Sequence, residues 1–414
     1  MIMNDIKTII RIVLYSISNL IVRLLGLIIS RDKKVVLFGA WMGQRYADNS
    51  RFLFQYLCNN KDRLGLKKII WITRNSEINE KLNRNGFESY LVGTRESRYW
   101  HLKSGIHIIC NMPAKSGDHY PDIDVRYSTG AKKIQLWHGV GIKAVGATAN
   151  SGGGKRSSWV VNFANKEIIR KIGFLGEWGE PKILCTSELN KKINLGNSKI
   201  HPQNAFLSMY PRYGACNFLF EDEKRIIKTI RDHSISVLFL PTFRDGKSSF
   251  VFPTNNEGFN CFLAEHDILW IQKLHQADIE RSKTNDNKNI LNLETSFDIN
   301  TILRTVDIIV SDYSSAAFDA IFLKKPVVMY VPDIDEFMNG PNGLLIDLRE
   351  LCPSLLARDI DELRNMILSI VRGIYFTEER KELLSKMRSD FFSDKQFDYD
   401  TIWKDICEAI SSEK

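Results

Sequence analysis

From residue 34 onward, short runs of β-branched and apolar residues alternate with segments of helical periodicity. This alternation is typical of βαβ units, whose strands pair in parallel and are covered by helices. Two series of strand patterns can be distinguished, separated by a loop near residue 214. The first series consists of Lys34–Phe38, Lys68–Thr73, Ile106–Cys110, Ile134–Trp137 and Ile183–Thr186. The second consists of Ser236–Leu240, Ile268–Lys273, Ile290–Leu293, Val306–Val310 and Val327–Val331. We therefore predict an α/β fold in which two parallel-sheet domains face one another.

The helical patterns place apolar residues at three- and four-residue spacing, as expected of helices that cover a sheet. They are Asp48–Cys58, Lys166–Ile172, Glu221–Arg231, Ile299–Thr305, Tyr313–Leu323 and Asp361–Arg372. A chain of 414 residues also exceeds the size at which a single hydrophobic core usually stops growing. The predicted division is a helix in residues 1–33, a first domain in 34–214 and a second domain in 215–414.

The N-terminal 33 residues have an amphipathic pattern, in which isoleucine, leucine and valine recur every three or four residues between Lys7, Arg11, Ser18 and Asn19. The uncharged run between Arg11 and Arg23 is shorter than the roughly 20 apolar residues that cross a bilayer. Residues 1–34 carry a formal charge of +4. These properties predict a helix that lies in the plane of an anionic membrane surface. The alternative is a helix that packs on the first domain.

The formal net charge of the chain is +8, and the basic residues are unevenly placed. Residues 126–171 contain nine Lys or Arg against a single acidic residue, Glu167. Two basic zones indicate an anionic surface and an anionic ligand. No zinc-finger or RNA-binding signature is present, so we predict no nucleic-acid partner. The seven cysteines are odd in number and scattered without CxxC spacing, which favours a reducing compartment.

The segment Val306–Asp319 runs from a buried-strand pattern through small hydroxyl residues into a helical pattern. Free backbone N–H groups and the positive end of the helix dipole meet at such a junction, where Ser314 and Ser315 add hydroxyl donors. A phosphate could therefore bind there. The alternative is an ordinary N-cap, since serine and aspartate are the commonest residues at that position.

Further basic or hydroxyl residues follow other predicted strands or lie in the predicted linker. In parallel sheets, ligands bind outside the carboxyl ends of the strands. A histidine at a strand end followed by glycines, as at His138, is well placed for proton transfer. Each of these residues taken alone is more often structural. The set comprises His138, Lys143, Arg212, Thr242, Arg244, Lys273 and His275.

Two other kinds of motif in the chain resemble phosphate or metal sites. The glycine-rich segment Ser151–Lys155 is not a P-loop, because Ala149 replaces the first glycine and Arg156 replaces Ser or Thr. Asp122–Asp124 and Asp333–Asp335 are DxD triplets of a kind that can hold a divalent ion, but such triplets are common by chance. We predict no metal and no cofactor.

Five short segments, taken together and in order, resemble the CDP-glycerol glycerophosphotransferases, the polymerases of teichoic acids and capsules. They are Leu136–Gly139, Tyr210–Arg212, Pro241–Arg244, Lys273–His275 and Ser311–Ser315. Phe38–Asn49 also resembles that family's opening segment, so the likeness covers about residues 34–390. The resemblance implies the GT-B fold, with two facing Rossmann-like domains that bind acceptor and nucleotide donor. It also implies peripheral attachment to the cytoplasmic face of the bacterial cell membrane.

The mechanism that the resemblance implies makes His138 the base that takes a proton from the acceptor hydroxyl. The oxygen then attacks the phosphorus that bears glycerol, and CMP leaves. The donor is CDP-glycerol, and the acceptor is a polymer or lipid-linked chain. The residues implied for the donor diphosphate are Arg212, Thr242, Arg244, Lys273, His275, Ser314, Ser315 and Asp319. Those implied for the acceptor-side loop are Trp137, Gly139 and Lys143.

Two departures from the family pattern bear on this interpretation. Relatives often carry Thr-Pro or Ile-Pro after the His-Gly pair, whereas this chain has Val140 and Gly141, and Gln276 stands where relatives often have proline. Neither departure removes the implied base or a residue implied to bind the donor diphosphate. The open alternatives are CDP-ribitol as donor, a nucleotide sugar with glycosyl transfer, or a non-catalytic membrane-surface binding module on the same fold.

Overall fold

The computed structural model describes residues 17–18, 20–111, 121–144, 181–198, 200–244, 249–279, 281–282, 287–340, 343–393 and 397–412. The predicted helix Lys166–Ile172 and the glycine-rich segment Ser151–Lys155 lie outside these residues. So do residues 1–16 of the predicted N-terminal helix.

The first domain contains a seven-stranded sheet in which every pair of neighbouring strands is parallel. Its strands are β1 (Asp32–Phe38), β2 (Lys68–Thr73), β3 (Ser89–Leu91), β4 (Ser104–Ile109), β5 (Lys132–Gln135), β6 (Lys182–Cys185) and β7 (Ala205–Leu207). Their spatial order is β3-β2-β1-β4-β5-β6-β7.

The second domain contains a six-stranded parallel sheet. Its strands are β8 (Ile235–Leu240), β9 (Ile268–Gln272), β10 (Ile290–Asn292), β11 (Ile308–Ser311), β12 (Val327–Tyr330) and β13 (Leu356–Ala357). The order β10-β9-β8-β11-β12-β13 repeats the pattern of the first sheet. In both sheets the strand order reverses beside the first strand, which creates a crevice at the carboxyl ends where Rossmann-like folds bind ligands.

Helices connect the strands, and polar N-caps begin several of them. Residues 20–28 form α1. The following helices are α2 (Asp48–Asn59), α3 (Ser76–Arg84), α4 (Arg95–Lys103), α5 (Glu188–Ser198), α6 (Glu221–Arg231), α7 (Glu257–Glu265), α8 (Gln276–Ile279), α9 (Ser315–Phe322), α10 (Ile334–Met338), α11 (Leu348–Leu351), α12 (Ile360–Val371), α13 (Glu378–Phe391) and α14 (Tyr399–Ser411). The side chains of Asn75, Thr94, Asp359, Thr377 and Asp398 cap α3, α4, α12, α13 and α14 respectively.

The predicted strands are present, with ends that differ by at most two residues. Two predicted elements end earlier in the structure than the sequence indicates. The strand predicted for Ile134–Trp137 ends at Gln135, because Trp137 adopts a left-handed backbone conformation. The helix predicted for Ile299–Thr305 is a single 3-10 turn, Ile299–Thr301.

The last helix returns to the first domain. Tyr56 of α2 donates a hydrogen bond to Asp400, and its ring stacks on Tyr399 at a centroid distance of 4.7 Å. The Thr186 hydroxyl, after β6, donates to the carbonyl of Phe391 at 2.7 Å. The C-terminal segment therefore joins the two domains, although the division near residue 214 separates the two sheets.

Helix α1 presents apolar side chains to solvent while its C-terminal end is held by Arg31. The guanidinium of Arg31 donates to four backbone carbonyls of the first domain, those of His101, Ser104, Tyr127 and Thr129. Six apolar side chains of this segment are exposed, at 80% for Ile28 and 67% for Leu27; the others are Ile17, Ile21, Leu24 and Leu25. Within the described parts of the chain, no helix is long and apolar enough to span a bilayer.

Candidate active site

The predicted site residues lie where the carboxyl ends of the two sheets approach one another. His138 follows β5, whereas Thr242 and Arg244 follow β8 and Ser314 follows β11. Strands β8 and β11 are neighbours, so their following segments meet at the crevice of the second sheet. The segment after β5 also approaches the second domain, where Lys143 Nζ lies 3.5 Å from the Thr242 hydroxyl.

Gly139 brings the histidine loop into contact with the second domain. A Cβ atom on Gly139 would stand 2.6 Å from Ser315 Oγ and 2.7 Å from Arg212 Nη2, so a side chain there would have to displace its neighbours. The φ angle of Gly139 is +137°, a region that favours glycine. Gly139 is thus required both by its neighbours and by its backbone conformation.

The imidazole of His138 is partly buried between aromatic rings and charged groups. The ring stacks on Trp137 at a centroid distance of 4.9 Å and lies 6.2 Å from the Trp41 ring. Burial lowers the pKa of His138 below its ordinary value, with Arg212 acting in the same direction and Asp48 opposing it. Its Nδ1 atom has no hydrogen-bond partner among the described residues. The lowered pKa favours the neutral imidazole, the state in which a ring nitrogen accepts a proton.

Arg212 occupies the centre of a buried ion-pair network. Its guanidinium donates to Asp48 at 3.0 Å and to both carboxylate oxygens of Asp319, on α9, at 2.6 and 2.8 Å. It also donates to the carbonyl of His138 at 2.8 Å. Burial alone would lower the pKa of Arg212, but Asp319 and Asp48 outweigh that effect and raise the pKa well above its ordinary value. Arg212 therefore links the histidine loop to the helix that begins at Ser315.

Arg244 forms a second buried network within the second domain. It donates to Asp312 at 2.6 Å and to both oxygens of Asp333 at 2.8 and 3.1 Å. Asp312 also accepts from the backbone N–H of Thr242 at 2.8 Å and from its hydroxyl at 2.7 Å. This network joins the segments after β8 and β11. Direct contact of Arg212 or Arg244 with a diphosphate stays a prediction, because carboxylates of the protein engage both guanidinium groups.

Ser314 is the N-cap of α9, and its hydroxyl accepts a hydrogen bond from the backbone N–H of Ala316 at 3.4 Å. The capping interpretation of this serine is therefore confirmed. Capping does not exclude anion binding, because the helix dipole still points at the cleft. Ser315 stands beside Gly139, at the boundary between the two domains.

Three other predicted site residues are two lysines and a histidine. Lys143 reaches across the cleft, where its Nζ lies 3.5 Å from the Thr242 hydroxyl, and burial lowers its pKa. Lys273 donates to the carbonyl of Phe297 at 2.5 Å, and burial lowers its pKa to about 8. His275 is exposed and contacts the Phe243 ring at 4.4 Å. Lys143, expected on the acceptor side, thus lies against a donor-side residue.

The DxD triplets are engaged in protein contacts. Asp122 accepts from the backbone N–H groups of Met42, Cys110 and Asn111 at 2.6 to 2.9 Å. Asp333 binds Arg244, and Asp335 pairs with Arg349 on the surface. The described residues contain no group of three or more histidine, cysteine or acidic side chains placed to hold a metal ion.

Some residues that organise the site were not assigned a role from the sequence. Asp48 binds Arg212 and the Trp41 indole, and Asp312 binds Thr242 and Arg244. Arg51, one turn into α2, donates to both oxygens of Glu223 on α6 at 2.5 and 2.7 Å. Asp48, Arg51 and Asp312 all lie in or next to the segments that carried the family resemblance. Their location in or beside these segments could have identified them from the sequence.

The model of the CDP-Glycerol:Poly(glycerophosphate) glycerophosphotransferase family matches residues 22–397. A teichoic acid poly(glycerol phosphate) polymerase of Bacillus spizizenii is 24% identical over 388 residues, covering 90% of each chain. A teichoic acid glycerol-phosphate transferase of Staphylococcus aureus is 24% identical over 376 residues, covering 85% of this chain and 86% of the relative. A poly(ribitol-phosphate) polymerase of B. spizizenii is 24% identical over 60% of this chain and 40% of its own length.

Among solved structures, the wall teichoic acid polymerase TagF superposes with a TM-score of 0.65 at 18% identity, covering 98% of each chain. This likeness shows the fold. The expected GT-B arrangement of two Rossmann-like parallel-sheet domains is confirmed.

Proposed function

This chain belongs to the CDP-glycerol:poly(glycerophosphate) glycerophosphotransferase family, and we propose that it extends a teichoic-acid-like or capsular polymer with His138 as the base. It transfers glycerol phosphate from CDP-glycerol to the hydroxyl end of that polymer and releases CMP. The observation that carries the assignment of the site is the contact between Gly139 and Ser315. Because Gly139 directly follows His138, this close approach supports a role for His138 as a base that acts beside the helix N-terminus proposed to bind the donor phosphates.

In the proposed reaction, neutral His138 accepts the proton of the acceptor hydroxyl. The oxygen forms a bond to the β-phosphorus, which bears glycerol, and the bond from that phosphorus to the bridging diphosphate oxygen breaks. CMP leaves with the electron pair of the broken bond. Phosphoryl transfer of this kind depends mainly on positioning and on stabilising the charge of the phosphoryl oxygens.

Two groups of residues support the donor in different ways. Hydrogen-bond donors for the diphosphate come from Ser314, Ser315 and the N-terminus of α9. Positive charge or a ring nearby comes from Lys143, Lys273 and His275. Arg212 and Arg244 hold these segments in place through Asp319 and through Asp312 and Asp333. Asp319 thus acts through Arg212 rather than on the donor, since an anionic carboxylate repels a phosphate.

The proposed donor can be tested by product release. Purified protein with CDP-glycerol and a primer ending in glycerol phosphate should release CMP, and the primer should gain mass in glycerol-phosphate steps. CDP-ribitol and UDP-sugars serve as competing donors, because one relative is a poly(ribitol-phosphate) polymerase. Omitting the primer controls for hydrolysis. Release of UDP, or of CMP from CDP-ribitol alone, would contradict the proposal.

We also propose that α1 attaches the enzyme peripherally to an anionic membrane surface, at the cytoplasmic face. Ile17, Ile21, Leu24 and Ile28 follow i, i+4, i+7 and i+11 spacing and lie exposed on one helix face. Arg31 fixes the end of this helix to the first domain. An apolar face held rigidly in solvent, within a basic segment, is suited to an anionic lipid surface.

Replacing two of these apolar residues should weaken lipid binding. In the double variant Leu24→Glu/Ile28→Glu, the partition coefficient onto vesicles containing phosphatidylglycerol should fall about 100-fold or more, because each buried side chain of this size contributes about 1.5–3 kcal/mol. Co-sedimentation measures the effect. Ile374→Glu is the matched control, since Ile374 is 64% exposed on the second domain. Equal sedimentation of the double variant and the control would contradict the proposal.

A further inference from the structure

Three consecutive carbonyls of the histidine loop each accept a hydrogen bond from a buried side chain. Asn49 Nδ2 donates to the carbonyl of Trp137 at 2.9 Å. Arg212 Nη1 donates to that of His138 at 2.8 Å, and the Tyr210 hydroxyl donates to that of Gly139 at 3.3 Å. All three donor side chains are buried. Hydrogen bonds from buried side chains therefore hold the carbonyls of His138 and of both its neighbours in the chain.

Asn49 acts at the point in this loop where the backbone is strained. Trp137 has a φ angle of +62°, and a left-handed conformation costs a residue other than glycine about 1–3 kcal/mol. Without a restraint, the pattern Ile134–Trp137 favours a continuation of strand β5, as the sequence predicts. Extending the strand would turn successive side chains to opposite faces of the sheet and so redirect His138.

The two ends of the Asn49 amide bind different segments. Its Nδ2 donor holds Trp137, while its Oδ1 accepts the backbone N–H of Arg212 at 3.3 Å. Asn49 lies in the first turn of α2, directly after Asp48, which binds the guanidinium of the same arginine. Helix α2 thus presents two adjacent polar side chains that join the histidine loop to the segment containing Arg212.

We propose that Asn49 is a positioning residue for the transfer reaction, holding Trp137 in its left-handed conformation so that the His138 ring faces the acceptor hydroxyl. This role rests on the proposed function of His138 as the base. Asn49 is buried, and it acts through the backbone of the histidine loop and of the segment that contains Arg212. Its loss should slow the chemical step and leave donor binding intact.

The variant Asn49→Ala tests this inference by separating kcat from donor affinity. The kcat for CMP release should fall about 100-fold, because a displacement of about 1 Å at a reacting group has an effect of that size. The dissociation constant of CDP-glycerol, measured by calorimetry, should stay within about twofold of the wild-type value, since the donor cleft is unchanged. Asn289→Ala is the matched control, because buried Asn289 donates to the carbonyl of Ile268 at 3.1 Å outside the cleft.

A second measurement does not depend on activity. Titration of the His138 imidazole, followed by NMR, should give a pKa below 6.5 in the wild type, in line with its burial. In Asn49→Ala the pKa should move up towards 6.5, because the released loop exposes the ring. Should Asn49→Ala not fold, Asn49→Ser provides the same comparison, with a shorter side chain that cannot reach both partners.

The outcomes separate the two proposals. An unchanged His138 titration, or a kcat within threefold of the wild-type value, would overturn the role of Asn49 even in an active enzyme. A loss of CDP-glycerol affinity in proportion to the loss of kcat would overturn it as well. A wild-type protein that releases no CMP would overturn the proposed function, whereas the titration would still decide whether Asn49 positions His138.

Discussion

Replacing His138 by alanine is expected to lower kcat for CMP release by about 100- to 10,000-fold, the usual contribution of a general base. The dissociation constant of CDP-glycerol should change little, because the proposed donor contacts belong to other residues. Steady-state assays and calorimetry measure the two quantities. The matched control is His107→Gln, since His107 is also buried but lies on β4, bonded to Ser128 at 2.9 Å.

The pH dependence of the wild-type enzyme provides an independent check on this base. Burial holds the pKa of His138 below 6.5, and a base must be neutral to accept a proton. The rate should therefore be constant above that pKa and should fall as the pH decreases through it. His138→Ala with a near-normal kcat would rule out His138 as the base, whereas an acid limb of kcat/KM centred above the ordinary histidine pKa would contradict the downward shift.

Replacing Arg212 by methionine is expected to lower the free energy of unfolding by about 3–5 kcal/mol, the usual effect of breaking a buried ion pair. Asp48 and Asp319 would remain buried without their common cation. Urea denaturation measures the loss. The double variant Arg212→Met/Asp319→Asn should recover part of it, because asparagine removes one of the two uncompensated charges.

The matched control for Arg212 is Arg349→Met. Arg349 pairs with Asp335 and Asp347, but these groups are exposed to solvent, and such pairs usually contribute about 1 kcal/mol or less. If Arg212→Met unfolded like the wild type and only raised the KM for CDP-glycerol, a direct contact between Arg212 and the diphosphate would be favoured. A large loss of stability would support the linking role that the ion pairs indicate.

The central strands of both sheets could be predicted because their residues form continuous apolar runs that are buried on both faces. Strand β2 and helix α6 have the predicted bounds. The strands that were not predicted, β3, β7 and β13, are two or three residues long and lie at sheet edges. So short a run has no recognisable pattern, and its extended conformation comes from pairing with a neighbouring strand.

The conformation of the chain after β5 could likewise not be predicted from local sequence preference. The residues Ile134–Trp137 favour a strand, and local preference alone gives no reason for it to stop at Gln135. In the structure Trp137 is left-handed, and its carbonyl accepts a hydrogen bond from Asn49, far away in the chain. The strained conformation beside His138 is therefore a property of tertiary packing.

Local order along the chain was sufficient to predict two parallel-sheet domains and the strand ends after which the candidate site residues lie. Strand ends carry that information, because parallel sheets bring their carboxyl ends to one edge. The role of each cation depends instead on partners distant in the chain. Arg212 meets carboxylates 164 and 107 residues away, and Arg244 meets one 89 residues away. Because a buried charge must be compensated by whatever the fold places beside it, only the tertiary structure shows that both arginines bind the protein itself.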